Sequence, residues 1–167
     1  MVPKHAFIAW MTVLNRLPTK DRMSRWGIEQ ESCCFLCKQV EESRDHLFFE
    51  CSFSKEIWKQ ILCLCGLRRI VLHWHYEFKW AIQKVKGKSM ISIVLRVGWN
   101  AFIYHIWRER NNRIFRNKEE TKEQIMEHIK TAIRHRLAGL RHINPDPINL
   151  FLHNSWGLFD SIFVNGQ

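Results

Sequence analysis

Glycine and proline are scarce in this chain, numbering seven and four among 167 residues. That scarcity argues against an all-β fold rich in turns and against a disordered chain. A long hydrophobic run is also missing. The uncharged stretch Val97 to Trp107 is about half of the ~20 residues that a membrane span requires, so no membrane partner is expected. The N-terminal MVPKHAFIAWM places its charges inside a short amphipathic run, which is not the pattern of a cleavable leader. A secreted protein is therefore not expected, and nucleus and cytosol both remain open. What is present is apolar material for a core, 46% of residues, with eight tryptophans. The expected class is mainly α: a small multi-helix domain.

The formal charge of +10 is unevenly distributed. Residues 1–66 carry nine basic and eight acidic side chains, residues 67–141 seventeen and six, and residues 142–167 none and two. A basic block of this kind concentrates polyanions, of which nucleic acid is the commonest, although a solvated helical face would have the same composition.

Apolar spacing and end signals outline the elements. Pro3 suits a first helical turn, followed by an apolar face of Phe7, Ile8, Trp10, Met11 and Leu14. Leu17-Pro18 interrupts it. Thr19 can cap a short second helix to Trp26, with Gly27 at its stop. After the Cys/His cluster of residues 28–51, Ser52 or Ser54 opens a helix whose Ile57, Trp58, Ile61 and Leu62 share a face. Residues 66–78 read as largely irregular, with a helix from about Trp74 to Lys84. Lys-Gly-Lys at 86–88 breaks it, and a long helix runs from Ser89 to about Arg116. Trp99 and Trp107 are expected in the core. Arg110, Arg113 and Arg116 have a structural reason to exist there, because cations are favourable at a helix C-terminus. Asn117 with Glu120 makes a capping pair for a last helix, striped by Ile125, Ile129, Ile133, Leu137 and Leu140. Lys122, Lys130, Arg134 and Arg141 lie off that stripe. Pro145 and Pro147 end the pattern. The tail beyond, with Phe151, Trp156, Phe159 and Phe163, must pack back or bind something.

Six cysteines without a secretory context read better as metal ligands than as disulfides. The spacing Cys34-x2-Cys37-x8-His46-x4-Cys51 presents two sulfurs from one tight turn and closes a tetrahedron from a short helical segment. Four protein ligands leave no position for water, so the expectation is one structural zinc ion in a CCHC zinc knuckle embedded in the helical domain, and no hydrolytic role. Only Cys34, and not Cys33, gives the two-residue gap to Cys37. Residues 29–51 carry two basic and six acidic side chains, so the knuckle itself should repel phosphates and act as a brace. A second set, Cys63, Cys65, His73 and His75, is explained more cheaply by buried thiols and amphipathic histidines, since Cys-x-Cys on a helix points its side chains about 200° apart.

At these residues the chain resembles a known family. Asn15-Arg-Leu-Pro-Thr-Lys-Asp-Arg22, Arg25-Trp-Gly27, Cys34-Phe-Leu-Cys37, Glu42-Ser-Arg-Asp-His46-Leu-Phe-Phe-Glu-Cys51 and Trp58 are similar to the zinc-binding region of plant non-LTR (LINE-type) retrotransposon reverse transcriptases. The likeness runs from Pro3 to about Leu62. Ile106-Trp-Arg-Glu-Arg-Asn-Asn-Arg-Ile-Phe115 is similar to a segment that often follows in such elements. The resemblance implies that Cys34, Cys37, His46 and Cys51 are the metal ligands, and it assigns none to the second set. With the charge distribution, it divides the chain into a reverse-transcriptase zinc-binding domain (1–65), a basic helical region (66–141) and an apolar C-terminal tail (142–167). It also implies that Met1-Val2-Pro3 starts inside the family's motif, so that the chain corresponds to the terminal portion of an element.

Neither a polymerase Asp-Asp signature nor an acidic set for two-metal nuclease chemistry is visible, so no enzyme is expected. The leading expectation is a non-catalytic module that binds RNA or DNA. Its phosphate contacts would be Lys20, Arg22 and Arg25 with Arg108, Arg110, Arg113 and Arg116. Two readings compete with it: a protein-interaction adaptor, using the tail or residues 97–107 as a partner or self-association surface, and a relic with no selected activity.

Overall fold

The computed structural model describes residues 3–28 and 31–163. Met1, Val2 and Glu29, which enter the expectations about the chain start and the knuckle charge, lie outside the described residues. Among those described there are seven α-helices and no sheet: α1 (Pro3–Val13), α2 (Lys20–Arg25), α3 (Ser52–Leu64), α4 (Trp74–Val85), α5 (Met90–Phe115), α6 (Lys122–Leu137) and α7 (Pro147–Trp156). A π-helical turn, His46–Glu50, precedes α3, and a 3-10 turn, Asp160–Ile162, follows α7.

α5 is central because it is apolar on most sides. Val94, Leu95, Trp99, Phe102, Ile103 and Ile106 are all buried, and α1, α3, α4, α6 and α7 pack against it. The core is aromatic where α3, α4 and α5 meet. Trp58 lies 5.4 Å from Trp99 and 5.2 Å from Phe102, and Phe49 of the π-turn lies 5.3 Å from Trp99. The buried face of α3 is Ile57, Trp58, Ile61 and Leu62, as the spacing predicts, and Trp99 and Trp107 are both core. Glu77, fully buried, fastens the irregular segment before α4. It accepts from Trp58 Nε1 at 3.0 Å, Arg69 Nη1 at 2.7 Å and the Leu72 amide at 2.8 Å.

Three expectations are corrected. First, α1 turns His5, Ala9 and Thr12 inwards, while Phe7, Trp10 and Leu14 are 55%, 52% and 43% exposed. The small Ala9 and Thr12 let α1 lie close to α5, His5 stacks on Tyr104 of α5 at 4.2 Å, and Phe7, Trp10 and Leu14 are displaced outwards. Second, Asn117 and Glu120 do not cap α6. Asn117 sits in a turn at φ +50°, and a Thr121–Gln124 capping box starts the helix. Glu120 is otherwise engaged: its amide donates to Glu109 Oε1 at 2.9 Å and its carboxylate holds Arg108. Third, the prolines of the tail do not end helical structure. Pro147 occupies the first turn of α7, where its missing N–H costs nothing, and Asp146 caps the Ile148 and Asn149 amides. Gly157 at φ +59° stops the helix. The tail packs back through Leu152, Trp156, Leu158 and Ile162, and Arg134 donates to the Trp156 carbonyl at 2.9 Å. Phe151 and Phe159 remain outside.

Candidate metal centre

Residues 32–42 form a small loop closed on itself: Cys34 N–H donates to Val40 O at 2.8 Å and Glu42 N–H to Ser32 O at 2.9 Å. Within it, Lys38 N–H donates to Cys34 O at 2.8 Å, with Lys38 at φ +58°, so the Cys-x2-Cys segment is a tight turn with both sulfurs on one side. The π-turn supplies His46 and delivers Cys51 to the N-terminus of α3. Its Leu47, Phe48 and Phe49 are fully buried, which ties the histidine rigidly to the helical core.

The four ligand atoms of Cys34, Cys37, His46 and Cys51 all lie within 4.8 Å of one another. Cys34 Sγ and Cys51 Sγ are 4.0 Å apart, and Cys37 Sγ and His46 Nε2 are 3.2 Å apart. A tetrahedral zinc with Zn–S of about 2.3 Å and Zn–N of about 2.0 Å needs edges of roughly 3.5–3.8 Å, so the cluster fits one such ion. The donor chemistry fits as well. Hydrogen bonding to Cys51, then burial, pushes the Cys34 thiol up to about 12. The bond from Cys34 and the Ser54 and Phe53 amides at the start of α3 pull the Cys51 thiol down. A helix N-terminus that favours a thiolate is well placed to hold a cation's ligand. His46 is raised to about 9, chiefly by its bond with Cys34. Zinc would displace these shared protons.

Cys33 is exposed and outside the cluster, which resolves the choice between the adjacent cysteines. Among the described residues no other set of three such side chains converges in this way. Cys63 is exposed, burial pushes the Cys65 thiol up to about 12, and His73 Nδ1 pairs with Glu50 Oε1 at 2.7 Å.

The basic residues are placed less uniformly than expected. Arg110 is 1% exposed and paired with Glu42, itself 0% exposed, at 2.7 Å. The same Glu42 carboxylate accepts from the Lys20 amide at 3.1 Å, and Arg110 also reaches Pro18 O at 3.4 Å. Arg110 is therefore no phosphate ligand: it clamps the zinc loop and the start of α2 onto α5. Lys20 is 3% exposed, with Nζ donating to Cys33 O at 2.5 Å and lying 3.8 Å over the Phe35 ring, so it too is internal. Arg113 pairs with the buried Glu109 at 2.7 Å and approaches the Phe35 and Leu36 carbonyls of the zinc loop. Arg108 binds both oxygens of Glu120, at 2.6 and 2.7 Å. Arg22 lies 5.2 Å over the Trp26 ring, Arg25 makes an exposed pair with Asp21 at 3.3 Å, and Arg116 is exposed. Sequence reasoning counted Glu42 as surface charge and passed over Glu77 and Glu109. No local pattern pairs a glutamate with an arginine sixty-eight positions away.

With this geometry in place, a comparison with known families bears on the N-terminal part. Residues 1–58 match the family of zinc-binding regions in reverse transcriptase. The match spans Cys34, Cys37, His46 and Cys51 and stops within α3, so α4 to α7 lie wholly outside it by sequence while packing against it in space. No curated protein and no solved structure gives a significant match. A zinc-binding region of this kind is not a catalytic domain. Among the described residues, no helix is long and apolar enough to cross a membrane.

Proposed function

We propose that the chain is a non-catalytic, zinc-braced module, descended from a LINE-type reverse transcriptase of the plant kind, that binds RNA or DNA through its basic helices. The observation that carries this reading is the placement of charge outside the zinc loop. Lys84, Lys86 and Lys88 are exposed at the α4–α5 junction, and Arg116 and Lys118 at the far end of α5. Cations on both ends of one long helix can follow a phosphate backbone. The zinc contributes no chemistry beyond holding its four ligands, and through Glu42 it fixes the loop against α5.

A second reading, a protein-interaction domain, is favoured by the exposed stripe of Phe7, Trp10 and Leu14 on α1. Salt separates the two. Binding to single-stranded RNA, duplex RNA and duplex DNA should weaken tens-fold or more between about 50 and 200 mM salt if several phosphates are contacted. Reversing Lys84, Lys86, Lys88 and Arg116 to Glu should abolish it. No binding at low salt would sink the nucleic-acid reading.

A further inference from the structure

One cavity combines the chemistry that a nucleotide needs. It lies between α1 and the last three turns of α5, has a volume of about 450 Å³, and is lined by Ile8, Tyr104, Trp107, Arg108, Asn111, Asn112, Phe115 and Arg116. Small-ligand sites span roughly 300–1,000 Å³, so the space suits one nucleotide and not a duplex.

Each wall has a distinct capability. Phe115 closes α5 with its ring 76% exposed, an unusual position for a phenylalanine with a core available beside it. Trp107 is buried and the Tyr104 ring stacks on His5 at 4.2 Å, with Lys4 5.4 Å from its centre, so these two form the floor and Phe115 is the ring left free. Asn111 accepts from Arg110 Nη1 at 3.0 Å through its carbonyl oxygen, which leaves its NH2 group to donate elsewhere. The Asn112 side chain makes no hydrogen bond among the described residues, so a donor and an acceptor stand side by side there, the pair that reads a base edge. Arg108 Nε is buried with no partner among the described residues, although the same guanidinium is fixed by Glu120. Arg116, at the mouth, has no ion-pair partner among the described residues.

We infer that this cavity takes one unstacked nucleotide of a single strand, its base against Phe115 and read by Asn111 and Asn112, its phosphate held by Arg116 at the mouth. The inference rests on the nucleic-acid reading above and narrows it to single strands. A base inside a duplex is paired and stacked, so its edge and faces are not free for such a site, whereas an unpaired base offers both.

The test uses the zinc-loaded full chain and fluorescence anisotropy with labelled 12-nucleotide single strands, RNA and DNA, and the matching duplexes. Phe115→Ala and Asn112→Ala alter part-exposed or exposed side chains. Zinc content and far-UV circular dichroism should match the parent, with Lys59→Ala on the exposed side of α3 as a control outside the cavity and outside the basic set. Phe115→Ala should weaken single-strand binding roughly tenfold and leave duplex binding unchanged. Arg116→Ala should flatten the salt slope by about one phosphate. A strand carrying 5-bromouracil should photocrosslink to a peptide containing Trp107 or Phe115. Unchanged single-strand affinity in both Phe115→Ala and Asn112→Ala would overturn the cavity assignment and leave the broader reading standing. If no oligonucleotide binds the parent protein, both fall. If AMP or UMP binds as tightly as the strands, the ligand is a free nucleotide and the single-strand assignment is wrong.

Discussion

The zinc loop and the helical body are held together by different physics. In the body, α3 to α6 bury Trp58, Trp99, Phe102, Ile106 and Ile129 against one another, and apolar area removed from water supplies the driving force. The loop of residues 32–42 has almost no such area, since Cys34 and Leu36 are its buried apolar residues. It relies on four metal ligands, a few backbone hydrogen bonds and the Glu42–Arg110 pair. The loop should therefore be switched by metal and charge, and the body by volume. The contrast also explains why arginines of α5 face inwards: the loop brings carboxylates and carbonyls that need cationic partners, and α5 is the element it lies on.

Removing the metal should break the comparison most cleanly. Structural zinc sites contribute on the order of 10 kcal/mol, so Cys37→Ser and His46→Ala should each lose the bound zinc found by elemental analysis and release residues 31–46 to rapid amide exchange. Protection in α5 and α6 should survive in part; uniform loss would show that the body depends on the loop as well. Next come two substitutions of comparable size with different causes. Trp58→Ala removes one of the two largest fully buried side chains and should cost about 3–5 kcal/mol in denaturant unfolding. Glu42→Ala leaves Arg110 as an uncompensated buried charge and should cost about 3–5 kcal/mol. The two differ in rescue: adding Arg110→Met should recover part of the Glu42→Ala loss and nothing of the Trp58→Ala loss. Additive effects in the Glu42–Arg110 pair would refute the clamp.

Acid should act on the helical body through histidines. Burial, with Lys4 and Arg108 nearby, lowers His5 to about 4, and burial with Arg108, His5, His128 and Lys4 lowers His105 to about 3. The His105 ring also stacks on His128 at 5.2 Å. Both buried histidines are neutral in the fold and bind protons more readily when unfolded. Their stability is thus complete above pH 6.5 and is lost as pH falls from there towards 3. His105→Phe should shrink the drop in melting temperature between pH 6.5 and 4.5 relative to the parent, which shares the zinc site; an equal drop in both would remove His105 from the account. The smallest effect belongs to a helix end: Thr121→Ala should cost about 1 kcal/mol by opening the capping box of α6, with no change in bound zinc.

Much of this arrangement was legible in the order of residues. The ligand set followed from a two-residue gap and a His-x4-Cys pair, because metal geometry constrains local spacing. The faces of α3 and α6 followed from periodicity, and the ends of α2, α4 and α5 from Thr19, Gly27, Lys86-Gly-Lys88 and Ser89. The outward face of α1 was not legible, since an apolar stripe records hydrophobicity and not which neighbour is close enough to admit only Ala9 and Thr12. α7 was not legible because Pro145 and Pro147 read as terminators, while a proline also suits the first turn of a helix.

The sequence by itself determined which side chains can hold zinc and where the main helices run, because both depend on residues a few positions apart. The fate of the arginines was decided only in three dimensions. Arg110 and Arg116 stand six positions apart on one helix with the same chemistry, yet one is sealed against Glu42 and the other opens to solvent. The distinction arises from where the zinc loop lies across α5, and a charge becomes structural or available according to what packs over it.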